Sequence, residues 1–268
     1  MGTYLTDGEI EQAREELRIV YAMPYHTSLA GAAWEQIFAG IKGGTQTDEI
    51  TSDDERWRRD NRAKPDVIVP TNGSEVRYSL KTEALRRTKD RQHAQQFIGF
   101  HEDLIIARPK VDDFLAGQAI NTISADELGA LVLRYYNERI VTRFRWDVIS
   151  CLLRLDDKAP YEFIYWEEKP VHYDPLAYWW KDSGKATGSN RNINGYPRTV
   201  EPTLSVLPRA TFKFTSGGKQ FYILYQIPQD ADIWVVEKAS LSEHEVREAL
   251  RDLLRRQAAQ QEDQPPDA

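Results

Sequence analysis

The chain has 268 residues and a formal net charge of −7, with 41% hydrophobic and 11% aromatic residues. That content fills one good core, so a single compact unit is expected. The single cysteine, Cys151, excludes an intrachain disulfide framework, and no uninterrupted apolar run is long enough to cross a bilayer. Met1 to Asp7 shows no basic region followed by an apolar stretch, so a protein of the reducing cytoplasm is expected.

Thr6 or Asp7 can cap a first helix, with Ile10, Ala13, Leu17 and Val20 at helical spacing and Pro24 limiting its end. A second helix is predicted from about Thr27 to Ile41, stopping at Gly43-Gly44. Its small and apolar residues suggest burial on several sides, and Glu35 is the only charge between Leu29 and Ile41. The polar stretch from Gly43 to Lys64 has room for a short strand. Strands at Asp66–Pro70 and Val76–Thr82 flank a Thr71-Asn72-Gly73-Ser74 turn, which reads as a hairpin. Leu85–Phe100 reads as a helix with a basic start, and Asp103–Arg108 as a short buried strand ended by Pro109. Ser124-Ala125-Asp126-Glu127 forms a capping box ahead of Leu128, Leu131, Val132 and Tyr135 at helical spacing.

From Trp146 the pattern turns to strands: Val148–Leu155, Tyr161–Glu167, Ala210–Phe214, Gln220–Gln226 and Ile233–Val236. Ser216-Gly217-Gly218-Lys219 joins the third and fourth as a hairpin. Between Lys169 and Pro208 lies a stretch rich in Tyr, Trp, Asn, Gly and Pro that is too long for a connector. Ser242 caps a last helix through Glu245, and the polar tail at 259–268 is expected to be disordered.

In strand geometry Ser79, Lys81 and Glu83 share one face, and Asp66 opens the neighbouring strand where it can meet them. Basic residues flank this pair, at Arg56, Arg58, Arg59, Arg62 and Lys64 and again at Arg86, Arg87, Lys89 and Arg91. Two such clusters around one candidate site point to a polyanionic substrate. The bland alternative has Asp66 capping a strand end, Lys81 and Glu83 paired on the surface, and Glu35 satisfied by an arginine.

Pro65-Asp66, then Ser79-Leu80-Lys81, with Glu35 on an upstream helix, resemble the PD-(D/E)xK nuclease superfamily, to which many type II restriction endonucleases belong. The resemblance covers about 27–108 and follows the order helix, strand pair, helix, strand. It implies an α/β (α+β) fold of restriction-endonuclease type, a mixed central sheet flanked by helices, within one nuclease domain at 1–258. The β-rich part at about 146–238 would serve recognition and sheet extension. It also implies a Mg²⁺-dependent endodeoxyribonuclease that cuts double-stranded DNA, most readily as a homodimer. Asp66, the Leu80 carbonyl and Glu35 would hold the metal, and Lys81 would act on the attacking water. Ser79 departs from the pattern, because an acidic residue usually stands there. Glu35 and Glu83 are the two candidates to supply the missing carboxylate.

Base readout and phosphate contact are expected from Arg59, Arg62, Arg86, Arg87, Lys181, Lys185, Asn190, Arg191, Asn192 and Asn194, because Arg and Asn pair with base edges and Lys with phosphate. A packed aromatic loop is the competing reading for 173–198. Two other functions remain open: a DNA-binding protein whose site has decayed at Ser79, and a β-rich carbohydrate- or protein-binding module. The five histidines lack zinc spacing.

Overall fold

Helix α1 (Asp7–Ala22) begins at a capping box: the Thr6 N–H donates to Glu9 Oε2 at 2.6 Å and Glu9 N–H returns to Thr6 Oγ1 at 3.3 Å. The computed structural model describes residues 5–22, 31–47, 64–109, 111–115, 117–155, 160–184, 190–203, 209–217 and 219–237, with scattered positions of a C-terminal helix between 242 and 255. Helix α2 (Gly31–Lys42) ends where Gly43 turns left-handed at φ 61°, as the glycine pair predicts. Trp34, Ile37, Phe38 and Ala39 form its buried stripe, and Glu35 lies beside that stripe half-buried, less enclosed than expected.

The fold is mixed α+β with two sheets. The first has the order β1-β2-β3-β5-β6-β11, formed by Thr45–Gln46, Val67–Thr71, Ser74–Leu85, Val148–Leu155, Tyr161–Glu168 and Asp232–Val236. Its pairs are antiparallel except β3 with β5, which run parallel from Tyr78↔Val148 to Leu85↔Leu155. The second has the order β4-β10-β9-β8-β7, formed by His101–Ala107, Gln220–Gln226, Phe212–Thr215, Asn192–Pro197 and Tyr178–Asp182, and is antiparallel throughout.

Period-two alternation divides β3 between two cores. Tyr78 and Leu80 face α1 and α2, beside Trp34, Phe38, Tyr165 and Trp234. Leu85 faces the other way, into a core that the first sheet shares with the second through Ile149, Cys151, Trp166, Phe212, Phe221 and Ile223. Helix α3 (Ala125–Tyr135) joins this second core, and its Ser124–Glu127 capping box is formed in both directions. The helix then widens into a π-helical segment, Tyr136–Arg143, that closes at Arg145 with φ 49°. Ser242 and Glu245 likewise make the expected cap of the C-terminal helix. No helix among the described residues is long and apolar enough to cross a membrane.

Two expectations need correction. Leu85–Phe100 is not a helix: β3 stays extended to Leu85, a bridge joins Thr88 to Arg91, and only Ala94–Phe97 makes a 3₁₀ turn. Only Leu85 of this segment pairs with β5, as the last of eight parallel pairs. Strand β4 belongs to the second sheet, so the helix and strand that follow the hairpin in the first sheet are α3 and β5, beyond the expected 27–108 segment. The Lys169–Pro208 stretch, in turn, contains two strands, β7 and β8.

Candidate functional site

Asp66 sits immediately before the first residue of β2, where β3 continues past it. Its backbone is held on both sides: its N–H donates to the Tyr78 carbonyl at 2.7 Å, and its carbonyl accepts from Thr47 N–H at 3.2 Å. Strand β1 adds a buried Thr47 Oγ1 to Pro65 carbonyl bond at 2.7 Å. The next N–H of β3 that β2 would have paired is taken by the carboxylate: Asp66 Oδ2 accepts Leu80 N–H at 2.6 Å and Ser79 Oγ–H at 3.0 Å. A side chain thereby ends the ladder without an orphaned donor.

Lys81 lies one residue further along, with its ammonium 3.9 Å from the same Asp66 oxygen and 5.1 Å from the centroid of the Trp146 ring. Trp146 is 5% exposed, so the cation rests on a fixed aromatic face at the distance where ring and charge attract. Asp66 Oδ1 takes no hydrogen bond among the described residues, and the carboxylate side chain remains 27% exposed. The site thus sets a partly exposed carboxylate next to one ammonium, on a backbone held by Tyr78 and Thr47.

The remaining predicted catalytic residues are not drawn into this arrangement equally. Ser79 is fully buried and acts as a donor to Asp66. Glu83 shares the Lys81 face but is exposed, two residues further along, about 7 Å by strand rise. Helix α2, which carries Glu35, packs on the Tyr78 and Leu80 side, opposite Ser79 and Lys81. Among the described residues no three of His, Cys, Asp and Glu form a metal-holding group. Cys151, opposite Lys81 in register, is buried, and burial pushes its thiol well above its ordinary value, so it is no nucleophile.

One buried glutamate, Glu167, and one half-buried, Glu168, escaped the sequence reading. Glu168 stands on the same sheet face as Asp66, Ser79 and Ile149, and burial lifts its carboxyl to about 7. It is three strands from Asp66, about 14 Å by strand spacing, and so makes a separate group. Glu167 points to the opposite face, where Tyr165 O–H donates to Oε1 at 2.5 Å while Oε2 has no hydrogen-bond partner. Burial lifts its carboxyl to about 7 as well. Nothing short of the β5–β6 register marks either residue, because both end an apolar run that reads as a strand terminus.

Of the expected DNA contacts, Arg59, Arg62 and Lys185 lie outside the described residues. Arg86 is exposed just beyond β3, whereas Arg87 pairs with Glu162 at 3.5 Å, a carboxylate that His93 also approaches at 3.4 Å. Lys181 and Asn194 face one another across β7 and β8, and Asn190 and Asn192 are exposed nearby. Arg191 is different. Its guanidinium clamps Asp182 through Nε at 2.6 Å and Nη2 at 3.0 Å and donates through Nη1 to the Ile120 and Ile123 carbonyls, leaving it buried. The stacked pair Trp179 and Tyr196, at 4.6 Å between centroids, is buried too, so the packed-loop reading holds for these three residues.

The chain has no significant match to any family model, curated protein or solved structure.

Proposed function

We propose that this chain is a Mg²⁺-dependent endodeoxyribonuclease of restriction type, hydrolysing phosphodiesters of double-stranded DNA at Asp66 and Lys81. The observation that carries the reading is the 3.9 Å approach of Lys81 Nζ to Asp66 Oδ2, with Oδ1 of the same carboxylate taking no hydrogen bond among the described residues. The order of elements supports it: helix α2 packs on the β2–β3 pair that carries Asp66 and Lys81, and strand β5 runs parallel to β3 in the same mixed sheet.

A hard cation that keeps several waters suits a site with one available carboxylate oxygen, so Asp66, with the Leu80 carbonyl, would hold Mg²⁺ together with a substrate phosphate. When bound, the metal would supply Lewis acidity and an activated water. Lys81 contributes the positive charge that orients this water and offsets charge growing on the phosphate oxygens. Trp146 keeps that ammonium from swinging away. Ser79 Oγ–H and the Leu80 N–H fix the orientation of the Asp66 carboxylate through Oδ2. Cutting both strands favours a homodimer, and the reducing cytoplasm suits the free Cys151.

A second reading keeps DNA binding without catalysis, because Asp66 Oδ2 already accepts from Ser79 and Leu80 and caps the β2 ladder. Incubation of supercoiled plasmid with Mg²⁺ or with chelator separates the two. Metal-dependent cutting is expected to fall about 100-fold or more in Asp66→Ala and in Lys81→Ala, each in a protein that still melts cooperatively. Plasmid retained on a gel without cutting would favour the second reading, and neither cutting nor retention at low salt would sink both.

A further inference from the structure

The segment from Arg134 to Arg145 carries four arginines, Arg134, Arg139, Arg143 and Arg145, and one acid, Glu138, in a chain whose net charge is −7. Most arginines elsewhere in the fold are partnered: Arg14 with Glu11, Arg18 with Glu15, Arg77 with Glu75, Arg87 with Glu162, Arg91 with Glu102 and Arg191 with Asp182. None of the four forms an ion pair with a carboxylate among the described residues, and the Arg139 Nε is buried without a hydrogen-bond partner. Like charges this close repel, so an unpaired row persists at a cost that a polyanion would relieve.

The backbone presents them together. In a π-helix successive turns come about four to five residues apart, which is the spacing of Arg134, Arg139 and Arg143. Arg134 is exposed and the other two are half-buried, while Tyr135, Tyr136, Asn137, Ile140 and Phe144 turn into the core. Arg143 leans on the Phe144 ring at 5.5 Å, and Arg145 is exposed where the segment ends. The segment is fixed in place, because the Asn137 side chain both donates to the Tyr173 carbonyl at 2.6 Å and accepts from Tyr173 N–H at 3.0 Å. Its far end runs directly into Trp146, whose N–H reaches back to the Ile140 carbonyl at 3.3 Å and whose ring carries Lys81.

We propose that this arginine row grips the phosphate backbone of duplex DNA alongside the Asp66–Lys81 site, setting which phosphate meets the open carboxylate oxygen. The inference rests on the nuclease reading, since the same chemistry at a distance from Lys81 would only add non-specific affinity. Rigid guanidinium forks on consecutive turns suit successive phosphates of one strand.

The test uses a short fluorescein-labelled DNA duplex, in chelator so that nothing is cut, and follows binding by anisotropy over a range of salt. Each lost phosphate contact lowers the slope of log K against log salt by about 0.9, so Arg143→Gln/Arg145→Gln should lose about 1.8. Arg143→Lys/Arg145→Lys should keep most of the slope, which guards against a folding defect in the glutamine pair. Arg18→Gln/Arg251→Gln, an equal loss of charge at remote exposed positions, should leave it unchanged. A wild-type chain that binds, with the same slope in the glutamine pair, would overturn the arginine row and leave the nuclease reading standing. An equal fall in the remote pair would also overturn it, since net charge would then explain the effect. A wild-type chain that does not bind the duplex at low salt would overturn both.

Discussion

Asp66 ends a β ladder and offers an oxygen to solvent, and Ser79 is the residue through which the two roles can be separated. Ser79→Ala removes one of two hydrogen bonds to the carboxylate from a fully buried position, so a loss of about 1–2 kcal/mol in urea unfolding is expected, with Leu80 N–H still holding Asp66. Placing Asp there, as the PD-(D/E)xK pattern has it, buries a second carboxylate against the first and should cost more than the alanine. If Ser79→Asp proved the more stable variant, the fixed role given to Ser79 would be wrong. Glu167 gives a pH signature. Burial raises it to about 7 from 4.5, although the Tyr165 hydrogen bond and the Lys42 charge pull the other way and Glu9 adds to the rise. Between those values the folded chain holds a proton that the unfolded chain has lost, so stability is full below about 4.5 and declines as pH climbs toward 7. Glu167→Gln keeps the acceptor for Tyr165 and removes that decline, so above pH 7 the variant should be the more stable by on the order of 3 kcal/mol. Urea midpoints of both proteins at pH 5 and pH 8 check this, with Glu168 leaving a residual slope in each. Asp66 and Lys81 were legible in the sequence because strand periodicity and a Pro-Asp start locate them. Trp146 was not, since the partner of Lys81 is set by a parallel strand pair far along the chain.

At the scale of elements, the β7–β8 hairpin shows why an aromatic stretch misled. The Trp180 indole lies against helix α3 so closely that a Cβ on Gly129 would stand 2.1 Å from its ring, and one on Gly195 would stand 2.9 Å away. Two glycines from separate elements therefore make the slot in which Trp180 stacks on Phe212. Gly129→Ala should raise helix propensity yet destabilise the protein by about 3 kcal/mol through overpacking, measurable as a fall in denaturant midpoint. An unchanged midpoint would mean the helix and hairpin are not in contact. Composition announced aromatic rings here and could not say whether they faced ligand or glycine. The same limit applies to Leu85–Phe100, which reads as a helix with a basic start and is instead the end of β3, a Thr88–Arg91 bridge and one 3₁₀ turn. Caps at Ser124 and Ser242, by contrast, were readable because cap and partner sit three residues apart, whereas at α1 Thr6 and Asp7 stood as alternatives and the structure uses Thr6.

For the whole molecule, local patterns sufficed wherever partners are near in sequence, and failed where the two sheets divide strands between them. The hairpin β2–β3, the strands β5 and β6 and the β9–β10 turn were foreseen; the departure of β4 into a second sheet was not, because alternation does not name a strand's neighbour. The parallel pairing of β3 with β5 has a consequence for how the protein is made. A two-stranded hairpin alone is marginal in water, and Lys81 finds Cys151 and Trp146 only after some seventy further residues exist. During synthesis Asp66 and Lys81 therefore leave the ribosome long before anything can hold them in register. A chain stopped after Arg145 should show hairpin signals in exchange but none of the ring-current shift that Trp146 imposes on Lys81, and no cutting. Activity in that fragment would show the site to be local; its absence would mean that the proposed site is assembled only once β5 is in place.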